Sequence, residues 1–233
     1  QPGERVRRTG SPRLFGGPAY WSVSPLTARK QKTEGGIPIG FEDDAAYLGG
    51  MRAALVKRVL CVPPEVKTIT DPADFRYITL LNLLATPSLR LFSVWSPSFL
   101  SVLLADLAPN WEALLHDLAH GTISPPGSTP SKLLTPMAPA RSPHRARRLR
   151  ELGPNTPALA WPELALISCW TDAGAAAHVE LLQSSFPGVE IQPKGLLATE
   201  AFVSVPFQGA HPLAITSHFL EFQLGDGRVV GAG

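Results

Sequence analysis

Cysteine is almost absent from this chain: 233 residues contain only Cys61 and Cys169, far apart and in no CxxC or Cys/His spacing. A disulfide framework and a zinc ribbon therefore have no support. Two buried thiols in a reducing compartment, the cytoplasm, are the expectation. Charge is scarce as well, at 17% of residues with a net of +2, so charge implies no nucleic-acid partner. No long hydrophobic run occurs either. The most apolar region, "LFSVWSPSFLSVLLADLA" (91–108), is broken by Ser96-Pro97 and by Asp106. It falls short of the ~20 apolar residues of a membrane-spanning helix. No stretch joins a charged start, an apolar centre and a small-residue cleavage site, so neither a signal peptide nor a membrane role is expected.

What is present is apolar. Hydrophobic residues make up 44% of the chain, enough for one large domain or a piece of one, and too many for a disordered protein. The chain starts at Gln1 and stops at "GRVVGAG", which reads as a fragment.

Residues 1–25 form a basic Gly/Pro-rich loop running into a short strand at "AYWSVSP". Asp43 and Asp44 suit the start of a helix through "AAYLGGMRAALVKRVLCV", which Pro63-Pro64 stops. Asp71-Pro72 predicts a second helix start, with proline at the first helical position. The run 89–95 reads as a strand, "SFLSVLLADL" as a helix, and 109–121 as another helix ending at Gly121. Residues 122–143 are a Pro/Ser-rich connection expected to be exposed. "HRARRLREL" predicts a short basic helix, 164–170 a strand, 172–186 a helix and 188–195 a strand. Helices alternating with short, nearly continuous apolar strands specify an α/β domain with a mainly parallel sheet. The Asp-Gly step at 226–227 adds a C-terminal antiparallel pair.

In such a sheet, ligands bind beyond the carboxyl ends of the strands. Three loops qualify: "WSPSF", "WTDAG" and "KGLLATE". Trp95 and Trp170 hold corresponding positions, each closing an apolar strand, and serve equally well as core residues or as pocket walls. Brought together with Ser96, Asp172 and Thr199-Glu200, they would form a mostly apolar pocket with a few polar groups. That suits an organic acid and an adenine ring.

The runs "LRLFSVWSPSFLSVLLADL", "NWEALLHDLAHG", "WPELALISCW", "FPGVEIQPKGLLATEAFVSVP" and "HFLEF" resemble the auxin-conjugating Gretchen Hagen family of acyl acid–amido synthetases, most closely its bacterial members, across at least residues 20–223. The family belongs to the adenylate-forming superfamily of luciferases and acyl-CoA synthetases. The resemblance implies ATP-dependent conversion of a carboxylic acid to an acyl-adenylate, then transfer to the amine of an amino acid. It also implies that the chain is an incomplete large N-terminal domain without the C-terminal domain.

By the same resemblance "GLLATE" is the second nucleotide motif. Gly195, Leu196, Ala198 and Thr199 would then contact the nucleotide, with Thr199 at a phosphate and Glu200 holding Mg²⁺. Mg²⁺ takes one or two carboxylates together with phosphate oxygens. The loop of Trp170, Thr171, Asp172 and Gly174 would line the nucleotide and acyl pocket, although Asp172-Ala173-Gly174 departs from the plant pattern. Trp95, Ser96, Phe99 and Val102 would wall the acyl pocket, with ordinary helix–sheet packing as the alternative for the last two.

Other signals point elsewhere. "LGDGRVVG" imitates the superfamily's third motif, yet Asp226 follows Glu200 too closely, and a hairpin turn is the better reading. His116 and His120 share a helical face but have no third ligand nearby in sequence. The cluster 141–153 lacks the interleaved aromatics of an RNA-binding surface and reads as a solvated helix face. No Ser/Thr/Gly-rich phosphate loop is found, so the isolated chain is expected to be inactive, the alternative being a non-catalytic α/β binding or scaffold domain.

Overall fold

Four short parallel strands carry the architecture. The computed structural model describes residues 16–22, 31–32, 38–39, 59–198 and 201–231. In chain order the first strands are β1 (Ala19–Trp21) and a small antiparallel pair, β2 (Gln31–Lys32) and β3 (Pro38–Ile39). The predicted helix before Pro63 falls mostly outside the described residues, which resume at Val59. Helix α1 (Pro72–Leu84) starts where Asp71-Pro72 indicated. The Asp71 carboxylate accepts the N–H groups of Ala73 and Asp74, two of the donors a helix start leaves unsatisfied.

Strand β4 (Leu91–Ser93) leads into α2 (Pro97–Ala105) and α3 (Leu107–His120), the latter closed by Gly121 in a left-handed conformation. Two short helices, α4 (Ser131–Leu134) and α6 (Pro157–Ala160), flank the basic α5 (Pro143–Leu152). Strand β5 (Leu166–Cys169), helix α7 (Ala176–Ser185) and strand β6 (Glu190–Pro193) complete the alternation. The antiparallel pair β7 (Glu221–Gln223) and β8 (Val229–Gly231) closes around Asp226, whose carboxylate accepts the N–H of Arg228. This is the hairpin expected there.

The sheet order is β1-β4-β5-β6, every neighbour parallel. Register stacks Tyr20, Phe92, Ile167 and Ile191 in one row across it. Phe92 is fully buried and meets Tyr20 and Trp161 edge to face, at 6.0 and 5.5 Å between ring centroids. Trp161 donates its indole N–H to the Leu83 carbonyl, so a buried polar group is satisfied. Helix α1 buries residues on nearly every side, from Phe75 to Leu84, and forms the centre of the core.

The 122–143 connection is not wholly exposed. Leu134 and Met137 are buried, and Asn82 donates its side-chain amide to the Met137 carbonyl. Apolar residues spaced three apart form short helical turns there, dipping into the core between exposed serines and prolines. The basic helix α5 buries Ala146 and Leu149 and keeps most of its charged face in solvent. Arg145 donates to the carbonyls of Leu84 and Ala160, while Arg148 and Arg150 pair with Glu151 and Glu112.

Candidate functional site

Parallel strands deliver all their carboxyl ends to one rim, and there the backbone ladder continues past each strand. Trp170 donates its N–H to the Trp95 carbonyl, and Lys194 to that of Cys169, both at 2.9 Å. These bonds fix the residue after each strand against its neighbour. The indoles of Trp95 and Trp170 therefore lie 5.6 Å apart, tilted by 46°. Beside them opens a cleft of about 780 Å³, lined among others by Ser96, Ser98, Trp170, Asp172, Gly174 and His178. Lys194, Gly195, Leu196, Leu197, Ser204 and His211 form its other side.

Of the residues singled out from the sequence, Ser96, Trp170, Asp172, Gly174, Gly195 and Leu196 meet in this cleft. Trp95 stands behind Trp170 and partly buried. Ser96 caps α2, its hydroxyl accepting the Ser98 N–H and lying 2.6 Å from the Ser98 hydroxyl. Thr171 and Ala198 do not line the cleft. Thr199 and Glu200 lie outside the described residues.

Phe99 and Val102, expected to wall an acyl pocket, are directed elsewhere. Phe99 packs on the core, its ring 6.3 Å from that of Phe75, and Val102 is 45% exposed. On α2 the residue that lines the cleft is Ser98, and the buried Ser101 one turn on lies 3.2 Å from Nδ1 of His178, which lines it too. Phe99 is drawn to the core side, while Val102 is left exposed to solvent.

The resemblance puts Gly195 against the nucleotide. Its close neighbour is instead the chain itself: a Cβ there would overlap the Ser204 carbonyl. The Leu196 N–H donates to the Ser204 hydroxyl, and the Leu196 carbonyl accepts from Val203 and Ser204. The glycine thus permits residues 201–205 to fold against the motif and supply Ser204 to the cleft.

Sequence reasoning also missed Lys194. Its ammonium donates to the Ser93 hydroxyl at 3.0 Å and sits 4.9 Å from the Trp95 ring centroid and 5.4 Å from that of Trp21. Burial lowers its pKa from the ordinary 10.5, with the nearby Cys169 acting in the opposite direction. No local signal marked it, since it follows the mixed strand Glu-Ile-Gln-Pro and its partners are distant in sequence. Among the described residues no group of three His, Cys, Asp or Glu side chains could hold a metal ion, which leaves His116 and His120 as a stacked pair with ring centroids 4.3 Å apart. No described helix is long and apolar enough to cross a membrane.

An open parallel sheet with a cleft along its carboxyl rim defines the class: an α/β domain of the kind whose ligands bind at strand ends. A model of the GH3 family N-terminal domain matches residues 8–191, and the chain belongs to that family. A solved GH3.15 acyl acid amido synthetase matches it with a TM-score of 0.67 at 17% identity, over 95% of this chain and 41% of that one. The AtGH3.15 acyl acid amido synthetase in complex with 2,4-DB matches with a TM-score of 0.74 at 18% identity, over 94% and 40%. At such identity the likeness establishes the fold. The chain thus spans about two fifths of the length of these structures. No curated protein matches it by sequence.

Proposed function

We propose that this chain is the acid-activating part of an ATP-dependent acyl acid–amido synthetase. The reaction joins a carboxylate to the α-phosphate of ATP with release of pyrophosphate, then passes the acyl group to the amine of an amino acid. The observation that carries the reading is the cleft itself. It joins the loops after β4, β5 and β6 in a GH3-family chain, with tryptophan, serine hydroxyls and a lysine along one rim. An apolar wall beside a few polar groups fits a small organic acid and a nucleotide base.

In this reading Trp170, Asp172 and Gly174 border the nucleotide and acyl group, with Leu196 against the base. Thr199 contacts a phosphate and Glu200 holds Mg²⁺. A magnesium ion needs one or two protein carboxylates when phosphate oxygens supply the rest, and bound there it would neutralise charge developing on the phosphate. Of the Ser96 and Ser98 hydroxyls, the one that accepts across their 2.6 Å bond keeps its O–H as a donor for a substrate oxygen at the α2 start. The two free cysteines fit a cytoplasmic protein.

The test uses the longest natural polypeptide containing residues 1–233. Acid-dependent exchange of pyrophosphate into ATP is the expected result, with Glu200→Ala abolishing it. Unchanged exchange in that variant overturns the assignment of Glu200. Ligand binding with no exchange under any acid favours the non-catalytic binding domain.

A further inference from the structure

We infer that Lys194 is the oxyanion seat of the cleft, its ammonium receiving either the carboxylate of the acid or a nucleotide phosphate. The inference deepens the adenylation reading and rests on it.

The position of Lys194 is set by four strands at once. Its backbone continues β6 and bonds to Cys169 at the end of β5. Its side chain reaches across the rim to Ser93 at the end of β4 and to Trp21 at the end of β1. An ammonium carries three N–H donors. One is committed to Ser93, and the indole faces of Trp21 and Trp95 attract the charge without accepting a strong hydrogen bond. Among the described residues no carboxylate pairs with it.

A half-buried cation without a paired anion is costly unless something supplies the missing charge. Here the cation lines the cleft, where it is the one lysine or arginine among the described lining residues. The other ionisable groups among the described lining residues are Asp172, His178 and His211. Asp172 would repel an anion, so the attractive charge is concentrated at Lys194. The Lys194 side chain is also held before any ligand arrives. Ser93 is buried and fixed by its strand register, and the ammonium lies over the indoles of Trp21 and Trp95. Little ordering remains for binding to impose. Burial already depresses the lysine pKa, and an oxyanion would restore it.

The experiment measures equilibrium binding of three probes to the longest natural polypeptide containing residues 1–233, by calorimetry or ligand-observed NMR: 1-naphthoate, its neutral analogue 1-naphthamide, and AMP. Lys194→Met keeps an unbranched apolar side chain but removes the charge. It is expected to weaken naphthoate, AMP or both by about tenfold or more, the worth of a charged hydrogen bond, and to leave naphthamide unchanged. Lys194→Arg should retain most of the affinity. Loss confined to naphthoate assigns the seat to the acid, and loss confined to AMP assigns it to the nucleotide. Equal affinity of Lys194→Met for both anions overturns the inference, as does failure of the unmodified chain to bind either. Circular dichroism of each variant separates lost binding from lost folding. The adenylation reading is judged separately, by the pyrophosphate exchange of the same polypeptide.

Discussion

Gly127 donates its backbone N–H to Oδ1 of Asp74 at 2.6 Å, and a Cβ on Gly127 would overlap that same carboxylate. Thr129 donates to the other oxygen at 2.9 Å. A fully buried carboxylate on α1 thus holds the 122–143 connection against the core through two N–H groups. A second buried carboxylate, Asp117, accepts from Tyr77, Thr122 and Ser124 at the start of the same connection.

Asp74→Ala leaves both N–H groups without their partner. At about 1–3 kcal/mol per orphaned group, softened by water at the exposed Gly127, the expected loss is roughly 2–3 kcal/mol in urea unfolding. Gly127→Ala should cost about 1–3 kcal/mol by forcing the carboxylate aside. A value near zero for both would mean that the connection is held by Leu134 and Met137 alone.

Burial pushes the Cys169 thiol up from 9.0 to about 11, the charge of Lys194 opposing the rise. Burial likewise pushes Cys61 to about 12, with a backbone hydrogen bond opposing. Neither thiol should react with a disulfide reagent at pH 8 until the protein unfolds, when two should titrate. A raised thiol pKa stabilises the fold fully below 9.0, because the unfolded chain ionises first above it. The stability difference between the protein and Cys169→Ala should therefore shrink as pH rises from 9 towards about 11. A difference that grows over that interval contradicts the sign.

Ala173, in the loop after β5, has a φ of 50°, the left-handed region that alanine enters at a cost of roughly 1–2 kcal/mol. Ala173→Gly relieves that strain and should stabilise by up to about 1 kcal/mol after the flexibility glycine adds to the unfolded chain. Ala173→Val should destabilise by more than about 1 kcal/mol, since β-branched residues fit this conformation poorly. The two thermal shifts should have opposite signs.

Gly195→Ala introduces a methyl group where the Ser204 carbonyl lies. Residues 201–205 should separate from 195–198, and amide exchange at Leu196, Val203 and Ser204 should accelerate while α1 stays protected. Global stability should change little, because Leu196 and Phe202 are already 60% and 55% exposed. If exchange is unaltered, the glycine is not what allows this approach.

The fold was legible because its signals are local. Asp71-Pro72 starts α1, Gly121 stops α3, and apolar runs too short for helices became β4 and β5, while Glu190–Pro193, ahead of Gly195, became β6. The positions of Trp95, Trp170 and Asp172 were readable for the same reason, since parallel strands send their following residues to one rim. Lys194 was not readable, because its partner Ser93 stands 101 positions earlier and Trp21 belongs to a strand further back still. Phe99 shows the converse limit. Spacing put it on a helix beside the cleft, but rotation about the helix axis was decided by the contact with Phe75, which no local pattern records.

The tilted pair of Trp95 and Trp170 has an optical consequence. Two indoles 5.6 Å apart and 46° from parallel have strongly coupled electronic transitions, and their skewed arrangement is chiral. Such a dimer gives a signed exciton couplet in circular dichroism whose size depends on the angle between the rings. Each ring belongs to a different post-strand loop, so a ligand that turns either loop changes the couplet. The rim carries its own unlabelled gauge of occupancy, readable with polarised ultraviolet light and cancelled by changing either tryptophan to phenylalanine.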